Sequence, residues 1–141
     1  MILRKQTLGS MALVVLAAVS ISASSGSAPV VVSASVPLYP DQARIAALEG
    51  TVKLTVETDG ERVVRVLSKD GQPLLANAAE ENLRTWVFKP HKPTRFDVQY
   101  IYKLSAKPSC ELGTAVVTLY LPTSVELTAP HFQTCDPALL R

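Results

Sequence analysis

Residues 51–57 alternate without error between apolar and polar side chains. Val52, Leu54 and Val56 point one way, and Thr51, Lys53, Thr55 and Glu57 point the other. A period of two with one apolar face specifies a half-buried strand. Asp59-Gly60 follows, a dipeptide that turns the chain back on itself, and residues 62–68 return as a valine-rich strand. An antiparallel hairpin over 51–68 is therefore the least negotiable part of the chain. One of its faces must be covered by something else.

Two helices are available for that purpose. Residues 39–50 open with Tyr39-Pro40, carry Asp41 in the first turn, continue through alanines and a leucine, and end at Gly50. Proline suits a first helical position, an acidic side chain complements the dipole there, and glycine stops a helix. This reads as a helix of about ten residues. Pro73 opens the second, which runs to about Trp86 with Leu75, Ala79, Leu83 and Trp86 along one stripe. Glu80, Glu81 and Arg84 read as its solvated side. A third strand follows the basic loop 91–95. Phe96, Val98, Tyr100, Tyr102 and Leu104 form its apolar face, and Asp97, Gln99, Ile101 and Lys103 the other. The expected fold is α+β: two helices packed on a three-stranded antiparallel sheet. Residues 105–141 add a further hairpin, with strands near 114–121 and 125–129 around Pro122-Thr123-Ser124.

The N-terminal residues read as an address. Arg4 and Lys5 precede an apolar run from Leu8 to about Ile21, and small residues follow. That is the pattern of a secretory signal peptide, assigned to residues 1–28. Cleavage falls somewhere in 23–34. Ala23-Ser24-Ser25 and Val32-Ser33-Ala34 both satisfy the small-x-small rule, the second leaving Ser35 as the first mature residue. The alternative is an uncleaved anchor in the inner membrane, facing the periplasm, although the strongly apolar part is shorter than the roughly 20 residues of a spanning helix. Residues 29–37 read as a short connector and 38–104 as the folded domain.

Export decides how the two cysteines are read. In an oxidising compartment Cys110 and Cys135 form a disulfide by default, closing a ring of 26 residues. Without Arg4 and Lys5 the chain has 12 basic and 12 acidic residues, so no net charge draws it to nucleic acid or anionic lipid. Lys89, Lys92 and Arg95 make only a small basic patch. Catalytic, metal and cofactor sites are not expected. There is no G-x-S-x-G elbow or phosphate-binding glycine loop, and His91 and His131 stand far apart in sequence. Trp86 and Phe88 read as core.

Several of these motifs occur together in one known family. Tyr39-Pro40 with Ala43, Glu49-Gly50-Thr51-Val52, Asp59-Gly60, Ala78-Ala79 and Trp86-Val87-Phe88-Lys89-Pro90 follow one another at family spacing. Residues 39–104 thereby resemble the TonB carboxy-terminal domain. The resemblance implies a protein-binding module of the Gram-negative periplasm, with a TonB-dependent outer-membrane transporter as candidate partner. In that family a transporter segment adds as a strand to the sheet edge. The corresponding edge here is Phe96, Asp97, Val98, Gln99, Tyr100, Ile101, Tyr102, Lys103 and Leu104. The chain departs from the energy-transducing pattern in lacking a convincing anchor and a long Pro-rich spacer, and in adding residues 105–141. The alternative is a secreted accessory domain with this fold, its edge capped by the added hairpin. The cap is expected to be residues 114–121 paired with 96–104.

Overall fold

The computed structural model describes residues 27–140, and the expected signal peptide lies almost wholly outside them. In chain order the elements are β1 (Val31–Ser33), α1 (Asp41–Ile45), β2 (Gly50–Thr58), β3 (Val63–Asp70), α2 (Pro73–Leu83), β4 (Val87–Phe88), β5 (Thr94–Ser109), β6 (Val116–Tyr120) and β7 (Ser124–Phe132). A 3-10 turn, Pro137–Leu140, follows. No helix among the described residues is long and apolar enough to cross a membrane.

The hairpin forms as its pattern requires. β2 and β3 pair antiparallel, and Val52, Leu54 and Val56 are fully buried. At the turn, the Asp59 carboxylate accepts from the backbone N–H groups of Glu61 and Arg62, both at 2.9 Å. Gly60 has φ 109°, and a Cβ there would sit 2.3 Å from the carbonyl oxygen of His91. Glycine is thus demanded twice, by conformation and by the loop that crosses over it.

The expectation of three antiparallel strands is corrected. The main sheet has five strands in the order β3-β2-β5-β7-β6, and a separate two-stranded sheet joins β1 to β4. β2 and β5 are antiparallel over all nine residues of β2, as expected. β5, however, runs for 16 residues and outreaches its partner. From Gln99 onward its other side is paired with β7, in parallel. The expected cap, 114–121, is also corrected: β6 pairs with β7 and lies outermost. The cause is which strand offers the better buried face. Val125, Leu127 and Ala129 of β7 are fully buried beside Tyr100 and Tyr102, whereas β6 keeps large apolar groups in solvent on both sides.

Both helices are shorter than their patterns suggest. α1 stops at Ile45 because Ala47 takes the left-handed conformation, φ 52°. The Leu48 N–H reaches back to the Ala43 carbonyl at 2.8 Å and the Ala47 N–H to that of Arg44 at 3.2 Å. These are the two bonds of a Schellman stop, made three residues before Gly50 and without a glycine. α2 ends at Leu83 and leaves Trp86 beyond it, where the chain turns into β4. The Gln72 side chain caps the start of α2, accepting from the Leu74 N–H at 2.7 Å.

Leu75, Ala76, Ala79 and Leu83 of α2 are buried, with Trp86 and Phe88 sealing the end of that layer. Each of these two rings contributes on the order of 2–3 kcal/mol through burial. Tyr39, just ahead of α1, meets Tyr102 edge-on at 5.1 Å and closes the opposite end. Burial pushes the Tyr39 hydroxyl up to about 12, and it drives Tyr100 and Tyr102 upward as well. The solvated side of α2 is also tied down. Glu80 accepts from Lys69 of β3 at 2.6 Å and from Arg84 at 2.7 Å, and these bonds hold its carboxyl below the usual range.

Two backbone substitutions should act in opposite directions. Ala47→Gly removes a left-handed alanine and should stabilise by about 0.5–1 kcal/mol. Gly60→Ala should destabilise by about 1–3 kcal/mol. Thermal unfolding followed by circular dichroism reads both. An Ala47→Gly midpoint at or below that of the parent chain would contradict the first.

Candidate protein-binding edge

An unpaired strand border is the surface on which an extended segment adds, so the condition of each border in the sheet is decisive. Residues 96–104 lie inside the sheet rather than along an open border. β2 pairs with one side of this stretch up to Tyr102, and β7 covers the other from Gln99. The Gln99 N–H donates to the Thr123 carbonyl at 2.9 Å, so odd-numbered amides of β5 face the β7 side. Ile101 and Lys103 therefore look into β7. Arg95 and Asp97, which precede the start of β7, have no pairing strand on that side among the described residues. Of the expected edge, only the beginning is left open by the described residues.

The cover is held by three kinds of contact. Val125, Leu127 and Ala129 supply the apolar layer. On the other face Lys103 pairs with Glu126 at 2.8 Å. At the far end, Cys110 and Cys135 are bonded, their Cα atoms 5.5 Å apart. Each cysteine follows a strand shortly after its last residue. Because β5 and β7 run the same way, those ends lie side by side, and the Gln133 N–H donates to the Ser109 carbonyl at 2.9 Å. The disulfide therefore clamps the open end of a parallel ladder. The Arg44 side chain, whose Nη1 donates to the Leu112 carbonyl at 3.1 Å, ties the intervening loop to α1.

Sequence reasoning missed the residue that joins the layers. Asn82, on α2, is buried, and all four of its amide positions are used. Its Oδ1 accepts from the Tyr100 hydroxyl at 2.7 Å and from Trp86 Nε1 at 3.1 Å. Its Nδ2 donates to the Ser35 carbonyl at 2.8 Å and to Ser35 Oγ at 3.2 Å. Thr85 Oγ1 accepts from the Ser35 N–H at 3.0 Å. The supposed connector is thereby bound into the fold. Pro29 and Pro37 are buried, β1 pairs with β4, and the Lys89 N–H donates to the Val30 carbonyl at 2.8 Å. The one available signal was the spacing of Asn82, one helical turn before Trp86.

The remaining candidates have local explanations. His91 bonds Thr58 Oγ1 at 2.9 Å and the Lys89 carbonyl at 3.0 Å, which braces the loop over Gly60. Arg95 pairs with Glu57 at 2.6 Å, so the basic patch is partly neutralised. Among the described residues no group of three or more His, Cys, Asp or Glu could hold a metal ion. The cleft beside α2, lined by Val36, Leu38 and Ala78 among others, contains Glu81 as its one titratable group.

The clamp generates a site-resolved expectation. Replacing Cys110 and Cys135 together by serine should cost about 3 kcal/mol of closure. Amide exchange at Ile101 and Lys103 should then rise roughly a hundredfold. Val98 and Tyr100, whose amides face β2, should change much less. Equal acceleration at all four would show that the disulfide stabilises the fold generally and not the cover.

Residues 35–106 match the family of Gram-negative bacterial TonB protein C-terminal domains. No curated protein matches the chain. Domains of that family work through protein–protein contacts in the cell envelope and are in general not enzymes. The match ends at Ala106, inside β5, and so leaves out β6, β7 and the disulfide. It spans just over half of the 141 residues and contains every motif from Tyr39-Pro40 to the strand that closes the antiparallel trio, and the chain accordingly belongs to the TonB C-terminal domain family.

Proposed function

We propose that this protein is an exported, TonB-like protein-binding module of the periplasm that does not act as an energy transducer. The observation that carries this reading is the parallel pairing of β7 with β5 from Gln99 to Ser109. In the family, an outer-membrane transporter segment adds at the corresponding strand. Here this chain's own hairpin takes that position, with a buried apolar layer and a disulfide behind it. An incoming segment would have to displace β7 before it could pair. The module then serves as an accessory domain, and its protein contacts are made elsewhere on the surface.

A second reading has one observation in its favour. Among the described residues nothing pairs with the first residues of β5 on the β7 side, and Arg95 and Asp97 present their backbone groups there. A short transporter segment could add over this stretch alone. Peptide titration followed by amide chemical shifts separates the two. With an extended peptide of the transporter class, the accessory reading expects no movement of residues 99–104. Saturable shifts along 99–104 would overturn it, and shifts confined to 94–98 would favour the second.

The reading requires export, and the fold bears on where the leader is cut. Cutting after Ala34 would remove β1 and Pro29, both of which are built into the structure. Cutting after Ser25 would spare them. We therefore expect the mature chain to begin at Gly26. Intact mass of the chain recovered from a periplasmic extract measures this directly, and a mature N-terminus at Ser35 would refute it.

A further inference from the structure

The two outer borders of the main sheet, β3 and β6, are built differently. β3 carries Arg65, Lys69 and Asp70, and its pairing with β2 is broken by two register shifts. Charges and irregularities of this kind keep a free border from pairing with another chain. β6 has neither. From Thr114 to Leu121 there is no charge and no proline, and β6 pairs with β7 in unbroken register over all five residues. No other strand among the described residues lies on its outer side.

β6 is also apolar on both faces. Val117 and Leu119 stand opposite the buried Leu127 and Val125, so they share the core face. Val116 and Tyr120 stand opposite Thr128 and Ser124 on the open face. Val116 is 68% exposed, Tyr120 59% and Leu119 47%. A strand apolar on both faces suits a position inside a sheet, and this one stands at the rim.

We infer that β6 pairs antiparallel with β6 of a second copy of this chain, about a two-fold axis through Thr118. The pattern of the strand selects this occupant. On that axis Thr118 faces Thr118 of the other copy. Val117 faces Leu119 on the core face, and Val116 faces Tyr120 on the open face. Each side of each pair is uncharged, and aromatic–β-branched and Thr–Thr pairs are favourable cross-strand partners. The charge on the adjacent strand nearest this seam, Glu126, is already paired with Lys103 at 2.8 Å, so the symmetry brings no unpaired like charges together. Both copies keep their core face on the same side, and the result is a continuous ten-strand sheet. Five residues per copy is a small contact, below the roughly 1,200 Å² of a standard stable interface, so the dimer belongs to the weak, concentration-dependent class. The inference is independent of which partner the module binds.

Sedimentation velocity on the full chain, purified after export, over a concentration series tests it. The parent chain should pass from monomer to dimer as concentration rises. Thr118→Lys, at an exposed position that leaves the fold intact, places like charges face to face and should weaken association at least tenfold. Thr118→Glu should do the same, and an equimolar mixture of the two variants should recover it. Val64→Lys on the β3 border should leave association unchanged. A monomer throughout, a Thr118→Lys variant that associates like the parent, a mixture that fails to recover, or an equal loss in Val64→Lys would each overturn the assignment.

Discussion

The structure depends on one constraint: β5 must have hydrogen-bonding partners on both sides along a buried face. Its apolar residues Val98, Tyr100 and Tyr102 are at the centre of the core, so the backbone between them cannot rely on water. β2 satisfies one side for nine residues. The opposite side and the seven residues beyond Tyr102 need another partner, and β7 supplies it from Gln99. The part of β5 without a second partner, around Arg95 and Asp97, is the part whose intervening side chains, Phe96 included, are less completely buried. The β7 cover begins beside the buried Tyr100 and Tyr102 and continues past them over the more exposed residues to Ser109.

The Asn82 amide gives the second level of order. A buried amide with any of its four positions unmatched would cost about 1–3 kcal/mol for each group stranded. Here every position has a partner, and the three partner residues come from different parts of the chain: Ser35 before the first helix, which fills two positions, Trp86 after the second, and Tyr100 in the middle strand. An apolar residue at this place would strand the Tyr100 hydroxyl and the Trp86 indole N–H, at about 1–3 kcal/mol each. The amide therefore acts on energy and geometry together, setting how α2 sits over β5 and tying the N-terminal segment to both.

Alternation and turn chemistry made the hairpin 51–68, the face assignment of 96–104 and the pairing of Cys110 with Cys135 legible in the sequence. Each of these rests on local rules. The failures were of another kind. Residues 124–132 alternate and 114–121 are apolar on both faces, and such patterns tell which way side chains point but not which strand is the neighbour. That choice was settled by the competition for the rim of the core, a non-local matter. α1 is shorter than its pattern because a left-handed alanine gives no signal; Ala47 is held there by the bonds that Leu48 and Ala47 make to Ala43 and Arg44. The role of Asn82 is not legible because an asparagine among alanines and glutamates reads as solvated.

The parallel sense of β7 explains why the extension needs its disulfide and where that bond must be. A parallel pair cannot be closed by a tight turn; the connection has to travel back along the sheet, which here takes the loop after Ser109 and the whole of β6. Ordering so many residues before the β5–β7 contacts form is entropically costly, and parallel ladders are slightly weaker per residue than antiparallel ones. A crosslink near the shared C-terminal ends of β5 and β7 limits the unfolded alternatives at the place where no turn does so. The same route leaves β6 on the outside, since the strand that carries the chain back must lie beyond the one it delivers. Covering one border of the family's sheet in this way thus creates another, and the new border consists of five uncharged residues.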